Sequence, residues 1–575
     1  PVIPRNMRLE VPERMLSDGT CERPVPIAAV EEAARALIGA GAEAACVFFV
    51  NGYANDANEK AAVDAVRTLW PTAHVTAATE IIPEIREFER VSTAVLNAYL
   101  QPVVSGYLDR LQGALQGAGA EAGVLIVQSN GGVMSVETAQ RLPVKTALSG
   151  PAAGVIAARE IAAAAGIDNI ITCDMGGTSF DVSLIADGEA ALSPQTSIDF
   201  GMVIRSPMIE ITTIGAGGGS IASVDAGGLL EVGPESAGST PGPVCYGLGN
   251  DRPTVTDANL VLGRINPDRP IGGTLERLDV PAAEAAIAAH VGTKLGLGAL
   301  DAAEAILKVA NAKMAGAIRL VSIERGYDPA RFTALPFGGG GALHAGALIA
   351  EIGLASALVP RFPGVTSALG CVVADMRQDR VQTINQMLAD LDARATGAAM
   401  ARQATEMEAE IRASGAAIAG TRTRFGFDML YLGQTHTLTT TLPEGAKVAT
   451  DTIKMSFEQT YQSAYGRLLE GIPLRVVNSR VTVAGKRPRF DMSLFSPPVD
   501  APLNGGVIGA RRVRVDGTDH ETPVYDRLAL PSGTRISGPA LLEQPDTTIF
   551  VDPGLAGHID EFGNLIIERS QSDVG

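Results

Sequence analysis

Thr172-Cys173-Asp174-Met175-Gly176-Gly177-Thr178-Ser179-Phe180-Asp181 is the stretch from which the chain is read. The apolar pair Ile170-Ile171 leads into Asp174, and beyond the glycines alternation resumes through Phe180, Val182 and Leu184, so the stretch reads as strand, tight turn, strand. Adjacent glycines let a backbone approach a ligand closely and turn its N–H groups toward an anion, and the hydroxyls of Thr178 and Ser179 add donors. Such a tip suits a phosphate. The carboxylates of Asp174 and Asp181 would repel a bare phosphate unless a hard cation stood between them, which is how magnesium is held in nucleotide sites. A glycine-rich turn with two solvated acids fits the same residues equally well.

The surroundings shift that balance. Ser149-Gly150-Pro151-Ala152-Ala153-Gly154-Val155-Ile156-Ala157-Ala158 reads as a small-residue helix running into the hairpin. Far downstream, an apolar run from Phe332 to Phe337 feeds Gly338-Gly339-Gly340-Gly341 and a helix-like Ala342 to Ile349. This order resembles the two-lobed, ribonuclease H-like nucleotide-binding fold of actin, hexokinase, the sugar kinases and the heat-shock chaperones. There a second phosphate loop follows a connecting helix, and a later glycine pair holds the adenosine.

A closer resemblance is to the hydantoinase A / 5-oxoprolinase family, which includes the acetone carboxylase nucleotide-binding subunit. It is carried by Val11-Pro12-Glu13-Arg14, Gln128-Ser129-Asn130-Gly131-Gly132, Leu148 to Gly154, Asp174 to Asp181, Gly215-Ala216-Gly217-Gly218-Gly219-Ser220-Ile221-Ala222, Thr254 to Asn259, Arg325-Gly326-Tyr327-Asp328-Pro329 and Gly538-Pro539-Ala540, and it covers nearly the whole chain. The resemblance implies ATP and magnesium as cofactors. Gly176, Gly177, Thr178, Ser179, Asp181, Gly217, Gly218, Gly338, Gly339 and Gly340 would surround the nucleotide, and Asp174 and Asp181 would hold magnesium through water. Catalysis would fall to Asp174 with Ser129 and Asn130, since a strand-end Ser-Asn-Gly-Gly can orient a carbonyl or a transferring phosphoryl group; a plain turn is an equal reading there. One departure stands out. Members of the family open with a further D-x-G-G-T hairpin that this chain lacks, and Pro1 is not an initiator methionine. The expectation is therefore a fragment, or one piece of a split protein, with an incomplete first lobe that binds ATP weakly alone.

Composition narrows the function classes. With 46% hydrophobic and 19% charged residues over 575 positions the chain is globular and long enough for several domains. A net charge of −18 argues against nucleic-acid and anionic-membrane surfaces, so a nucleotide has to be held locally by amides and a metal. The five cysteines are scattered without C-x-x-C spacing, which points to a reducing compartment; with no apolar run of spanning length, the cytoplasm is expected.

Along the chain, β/α alternation over residues 1–160 suggests the remainder of a first lobe, residues 161–379 a second lobe carrying the hairpin and the adenosine segment, and residues 380–575 a β-rich C-terminal α+β domain. The charges of Ile85-Arg86-Glu87-Phe88-Glu89-Arg90 open a long helix as a solvated face or a subunit contact, and residues 385–415 read as one long surface helix. Gly217-x-Gly219-x-x-Ala222 fits a dinucleotide-loop pattern, but Val224-Asp225-Ala226-Gly227-Gly228 cannot open the helix which that loop requires. Met314 lies on a helical apolar stripe and reads as core, Cys173 as structural, and His344 as packed beneath the glycines.

Two functions of different class follow. In the first, implied by the family resemblance, the chain is an ATP-dependent hydrolase subunit: it phosphorylates the carbonyl of a cyclic amide or urea (hydantoin, 5-oxoproline or a related lactam), and a hydantoinase B type partner completes ring opening in a hetero-oligomer. A ketone carboxylase subunit is the alternative within that class. In the second, the same clamp serves an ATP-driven, chaperone-like binding module.

Overall fold

The computed structural model describes residues 2–120, 122–198, 201–273, 275–497 and 506–570. They form a mixed α/β fold packed as two compact units, the first comprising Pro1–Ser149, Leu192–Met208 and Ala374–Pro488, the second Gly150–Ala191, Ile209–Val373 and Arg489–Gly575. The β-rich C-terminal stretch is thus shared between the units.

In the first unit, helices Ile27–Gly39 and Ala57–Leu69 cover a parallel pair of strands, Ala45–Val47 and Val75–Ala77. Val30 and Ala34, four residues apart, and Val63 and Val66, three apart, put one apolar face of each helix onto this core, which Trp70 closes. The long helix Glu87–Gly117 follows. Its opening charges do not all face water as expected: Arg90 is fully buried, donating to Phe49 O at 2.6 Å and to Glu87 at 2.5 Å, with Glu59 at 3.7 Å. A guanidinium out of water is tolerated only with such partners.

The same unit carries a six-stranded sheet in the order Leu438–Thr441, Gly420–Tyr431, Leu474–Lys486, Met376–Met387, Val133–Ser135, Leu125–Val127. Where the sequence suggests a helix from 385, the strand persists through Met387 and the helix is Ala393–Ala413. The ladder from Met376↔Gly485 to Met387↔Arg475 holds those residues extended, a pairing invisible to local periodicity.

The second unit is built on a nine-stranded sheet. Its centre is parallel: Ile170–Met175 beside Thr333–Phe337, and that strand beside Ser356–Val359. Phe180–Ala186 continues antiparallel to Ile170–Met175, and Thr212–Ile214 follows it. Ile306, Ala310, Met314 and Ile318 of helix Ala299–Val321 pack into one core with Ile171, Cys173 and Met175 of the central strand. Met314 is core, as its spacing indicated. The segment after Gly217-Gly218-Gly219 is the strand Ser220–Val224, which excludes the dinucleotide-loop geometry. No described helix is long and apolar enough to cross a membrane.

Candidate functional site

The hairpin forms as its alternation requires: Asp174 pairs with Asp181 and Met175 with Phe180 across the two strands, and Gly176 N donates to Ser179 O at 3.1 Å to close the tip. Inward-facing Cys173, Met175, Phe180 and Val182 are buried, while Gly176, Gly177 and Thr178 are exposed at the tip. The two carboxylates thus stand side by side at the base of an exposed turn. Burial, and then the charge of Asp181, push the Asp174 carboxyl up to about 7. Asp181 is also raised by burial, although hydroxyls of Thr213 and Ser179 donate to it and oppose the shift. Asp174 has no hydrogen-bond partner of its own among the described residues.

Around this tip the glycines divide into two kinds. At Gly217 a Cβ would lie 2.6 Å from Thr178 N, and at Gly338, whose φ is +79°, it would lie 2.6 Å from Asp174 Oδ1 and 2.5 Å from Met175 O; these two are glycine because backbone passes there. Gly176, Gly177 and Gly339 are different. A Cβ there meets nothing within 4 Å, and none of the three has a positive φ, so neither packing nor conformation demands glycine. What remains is open space over two half-buried acids.

The neighbouring loop is pinned to the hairpin by Gly218 N donating to Gly176 O at 3.0 Å and Gly219 N to Gly177 O at 2.6 Å. It is held from behind by helix Val255–Val261, whose Thr256 N and Oγ1 donate to Gly218 O at 2.8 and 2.9 Å. Gly338–Gly341 begins a helical turn directly after strand Thr333–Phe337, and Phe337 pairs with Asp174 in register. The second unit thereby brings together Asp174, Gly176, Gly177, Thr178, Ser179, Asp181, Gly217, Gly218, Gly338, Gly339 and Gly340. His344 lies beneath, buried, with Nδ1 2.6 Å from Asn311 Oδ1; burial and then Arg264 push its pKa down to about 3, so the ring stays neutral and is a poor proton acceptor.

Ser129 and Asn130 belong to the first unit. Ser129 Oγ is engaged with backbone carbonyls, at 2.8 Å from Lys145 O and also against Ala147 O, and Ser129 N donates to Lys145 O at 2.7 Å. Asn130 Nδ2 donates to Asp379 Oδ2 at 2.8 Å, and its Oδ1 accepts from Gly132 N at 2.9 Å. Both side chains therefore hold other groups in place around a polar cavity of about 1050 Å³, into which Lys145 also faces. Sequence reading missed Lys145, which sits in the short 3-10 turn Pro143–Thr146 where no periodicity marks it.

The comparisons with known proteins bear on the chain as a whole. The hydantoinase/oxoprolinase model matches residues 90–380, its N-terminal region model residues 1–69 and its C-terminal domain model residues 386–568. The chain belongs to the hydantoinase/oxoprolinase family. Among its relatives in this family is the caprolactamase alpha subunit of Pseudomonas jessenii, 34% identical over 97% of this chain and 81% of that protein. The crystal structure of the ATP-dependent caprolactamase from the same organism superposes with a TM-score of 0.84 at 32% identity, covering 99% of this chain and 83% of that one. A nucleotide-free structure of acetone carboxylase, from work on its ATP-dependent carboxylation, superposes with a TM-score of 0.78 at 26% identity over 99% of this chain and 82% of that one. Hydantoinase/oxoprolinase relatives thus include an ATP-dependent lactam-opening enzyme and an ATP-dependent ketone carboxylase, and the caprolactamase relative is one subunit of its enzyme.

Proposed function

We propose that this chain is the nucleotide-binding subunit of an ATP-dependent cyclic amide hydrolase, with each compact unit contributing one lobe of an actin-like nucleotide-binding fold and residues from 380 onward forming a C-terminal extension of both. The observation that carries the reading is the hairpin: exposed glycines demanded by neither packing nor backbone conformation, above two adjacent carboxylates, with Gly338 crossing against one of them.

The donor set fits magnesium. Among the described residues no group of three or more His, Cys, Asp or Glu side chains converges, so a metal would have two carboxylates, Asp174 and Asp181, with water and phosphate oxygens completing its shell. That is the habit of magnesium rather than of zinc or calcium. When bound, the magnesium nucleotide supplies the phosphoryl group that turns an amide carbonyl oxygen into part of a leaving group. The chain's own residues position it. The exposed tip Gly176-Gly177-Thr178 would take the phosphate oxygens, Asp174 and Asp181 would hold positive charge beneath them, and the open space over Gly339 would admit the remainder of the nucleotide. The partner that completes hydrolysis would be a hydantoinase B type chain.

The likeness to acetone carboxylase supports a second reading in the same class, in which the activated carbonyl belongs to a ketone. The test of the hairpin assignment is Asp174→Asn. Magnesium-dependent ATP turnover in the assembled enzyme should fall at least about tenfold, on the order of losing a group that tunes a metal site. Unchanged turnover would remove the hairpin from the mechanism.

A further inference from the structure

The polar cavity of about 1050 Å³ lies entirely within the first unit, and its ionic lining is mostly self-neutralised. Arg205 pairs with Glu84, Arg377 with Asp379, Arg380 with Glu406 and Glu410, and Lys60 with Asp56. Lys145, Arg141 and Arg402 carry no ion pair among the described residues, and of the three only Lys145 is half-buried. Its ammonium has neither an ion-pair nor a hydrogen-bond partner among the described residues. The carboxylate that acts on it most strongly, Asp379, is already committed: it accepts from Arg377 Nε and NH2 at 2.9 and 3.0 Å, from Asn130 Nδ2 at 2.8 Å and from Thr482 Oγ1 at 2.6 Å. The charges of Arg141 and Arg380 also bear on Lys145 from the same cavity wall.

The backbone carrying this cation is fixed on every side. Lys145 N donates to Leu142 O at 3.0 Å, Thr146 Oγ1 to Pro143 O at 2.7 Å, and Ser129 holds Lys145 O through both its amide and its hydroxyl. Lys145 is half-buried, and the partial loss of water around an unpaired ammonium, the largest influence on it, depresses its proton affinity. A fold that immobilises such a group in a cavity of ligand size has the makings of an anion site.

We propose that this cavity binds a small polar molecule through an oxyanion group, carboxylate or phosphoryl, that pairs with Lys145, with Arg141 as a second cation and Ser129 as the positioning residue for Lys145. The site stands on the first unit alone and does not depend on the nucleotide reading of the hairpin.

The test is the rate at which an amine-selective reagent modifies Lys145, followed by peptide mass spectrometry, with the full chain in the presence of glutarate, inorganic phosphate, or chloride at matched ionic strength. An occupying ligand at about ten times its dissociation constant should slow labelling of Lys145 about tenfold without slowing other lysines. Protection by glutarate identifies a carboxylate site, and protection by phosphate a phosphoryl site. Equal rates in all three solutions, or equal protection by chloride, overturn the proposal. Calorimetry with the protecting anion adds a second readout: Lys145→Met should abolish its heat of binding and Lys145→Arg retain part of it. Asp174→Asn protein should show undiminished protection; loss of protection there would assign the effect to the hairpin instead.

Discussion

Asp174 makes the most exacting demand on its surroundings, because an acid raised to about 7 from an ordinary value of 3.8 retains its proton in the folded chain where the unfolded chain has lost it. The folded state therefore binds more protons through that window, and its stability falls as pH rises from about 4 to 7. Asp174→Asn should equal wild type in melting temperature near pH 3 and exceed it by a growing margin toward pH 7 and above in nucleotide-free protein; a constant offset across the range would contradict the shift. Magnesium nucleotide should bind more tightly toward pH 8, where the carboxyl is ionised. The glycines allow a sharper contrast. Gly177→Ala has free space for its methyl and should keep the melting temperature while weakening nucleotide binding, whereas Gly217→Ala drives a methyl against Thr178 N and should destabilise by about 1–3 kcal/mol. Thermal melts and nucleotide titrations of the two variants separate ligand space from packing.

Helix Val255–Val261 shows how an element seven residues long can govern a site it does not line. Its Asp257 is fully buried and accepts from Thr254 N and Oγ1, both at 2.8 Å, from Val244 N at 3.1 Å and from Cys245 N at 2.8 Å, which fixes the helix start from which Thr256 reaches Gly218. Asp257→Ala would strand the Val244 and Cys245 amides without a partner, at about 1–3 kcal/mol each, and loosen the glycine loop. A lowered melting temperature together with weaker nucleotide binding is the expected pair of effects, and a melting change alone would show that the loop is held independently. The hairpin was legible because its whole signal is local: alternation, two glycines, two acids. Strand Met376–Met387 was not. Its polar side chains Arg377, Asp379 and Arg380 face a polar cavity, so no apolar alternation betrays it, and only the distant strand Leu474–Lys486 keeps it extended. Lys145 was hidden for a related reason, since its isolation comes from Asp379 being taken by other donors. Arg90 reads as a surface charge until Glu59, a full helix earlier, is seen beside it.

Across the chain as a whole, the hairpin proposed for a nucleotide belongs to the second unit and the cavity proposed for a small anion to the first. On the proposed two-subunit reading, supported by the caprolactamase relative being one subunit of its enzyme, the purified chain with ATP and a lactam should leave the ring closed, and adding a hydantoinase B type subunit should open it; product formation by the chain alone, followed by chromatography, would refute the division of labour. The parallel pairing of Ile170–Met175 with Thr333–Phe337 has a further consequence for how the protein comes into being. Every residue from 176 to 332 separates these neighbours, yet Asp174 and Phe337 stand opposite each other in the finished sheet. At an elongation rate of about 5–20 residues per second, the acids leave the ribosome on the order of ten seconds or more before the glycines that complete their pocket. Through that interval a nascent chain presents two carboxylates and a turn with nothing across from them. Polypeptides arrested before Gly338 should be retarded less on an ATP matrix than the full chain, however long they are given to fold; equal retardation of the two would show that the later glycines add nothing to the pocket.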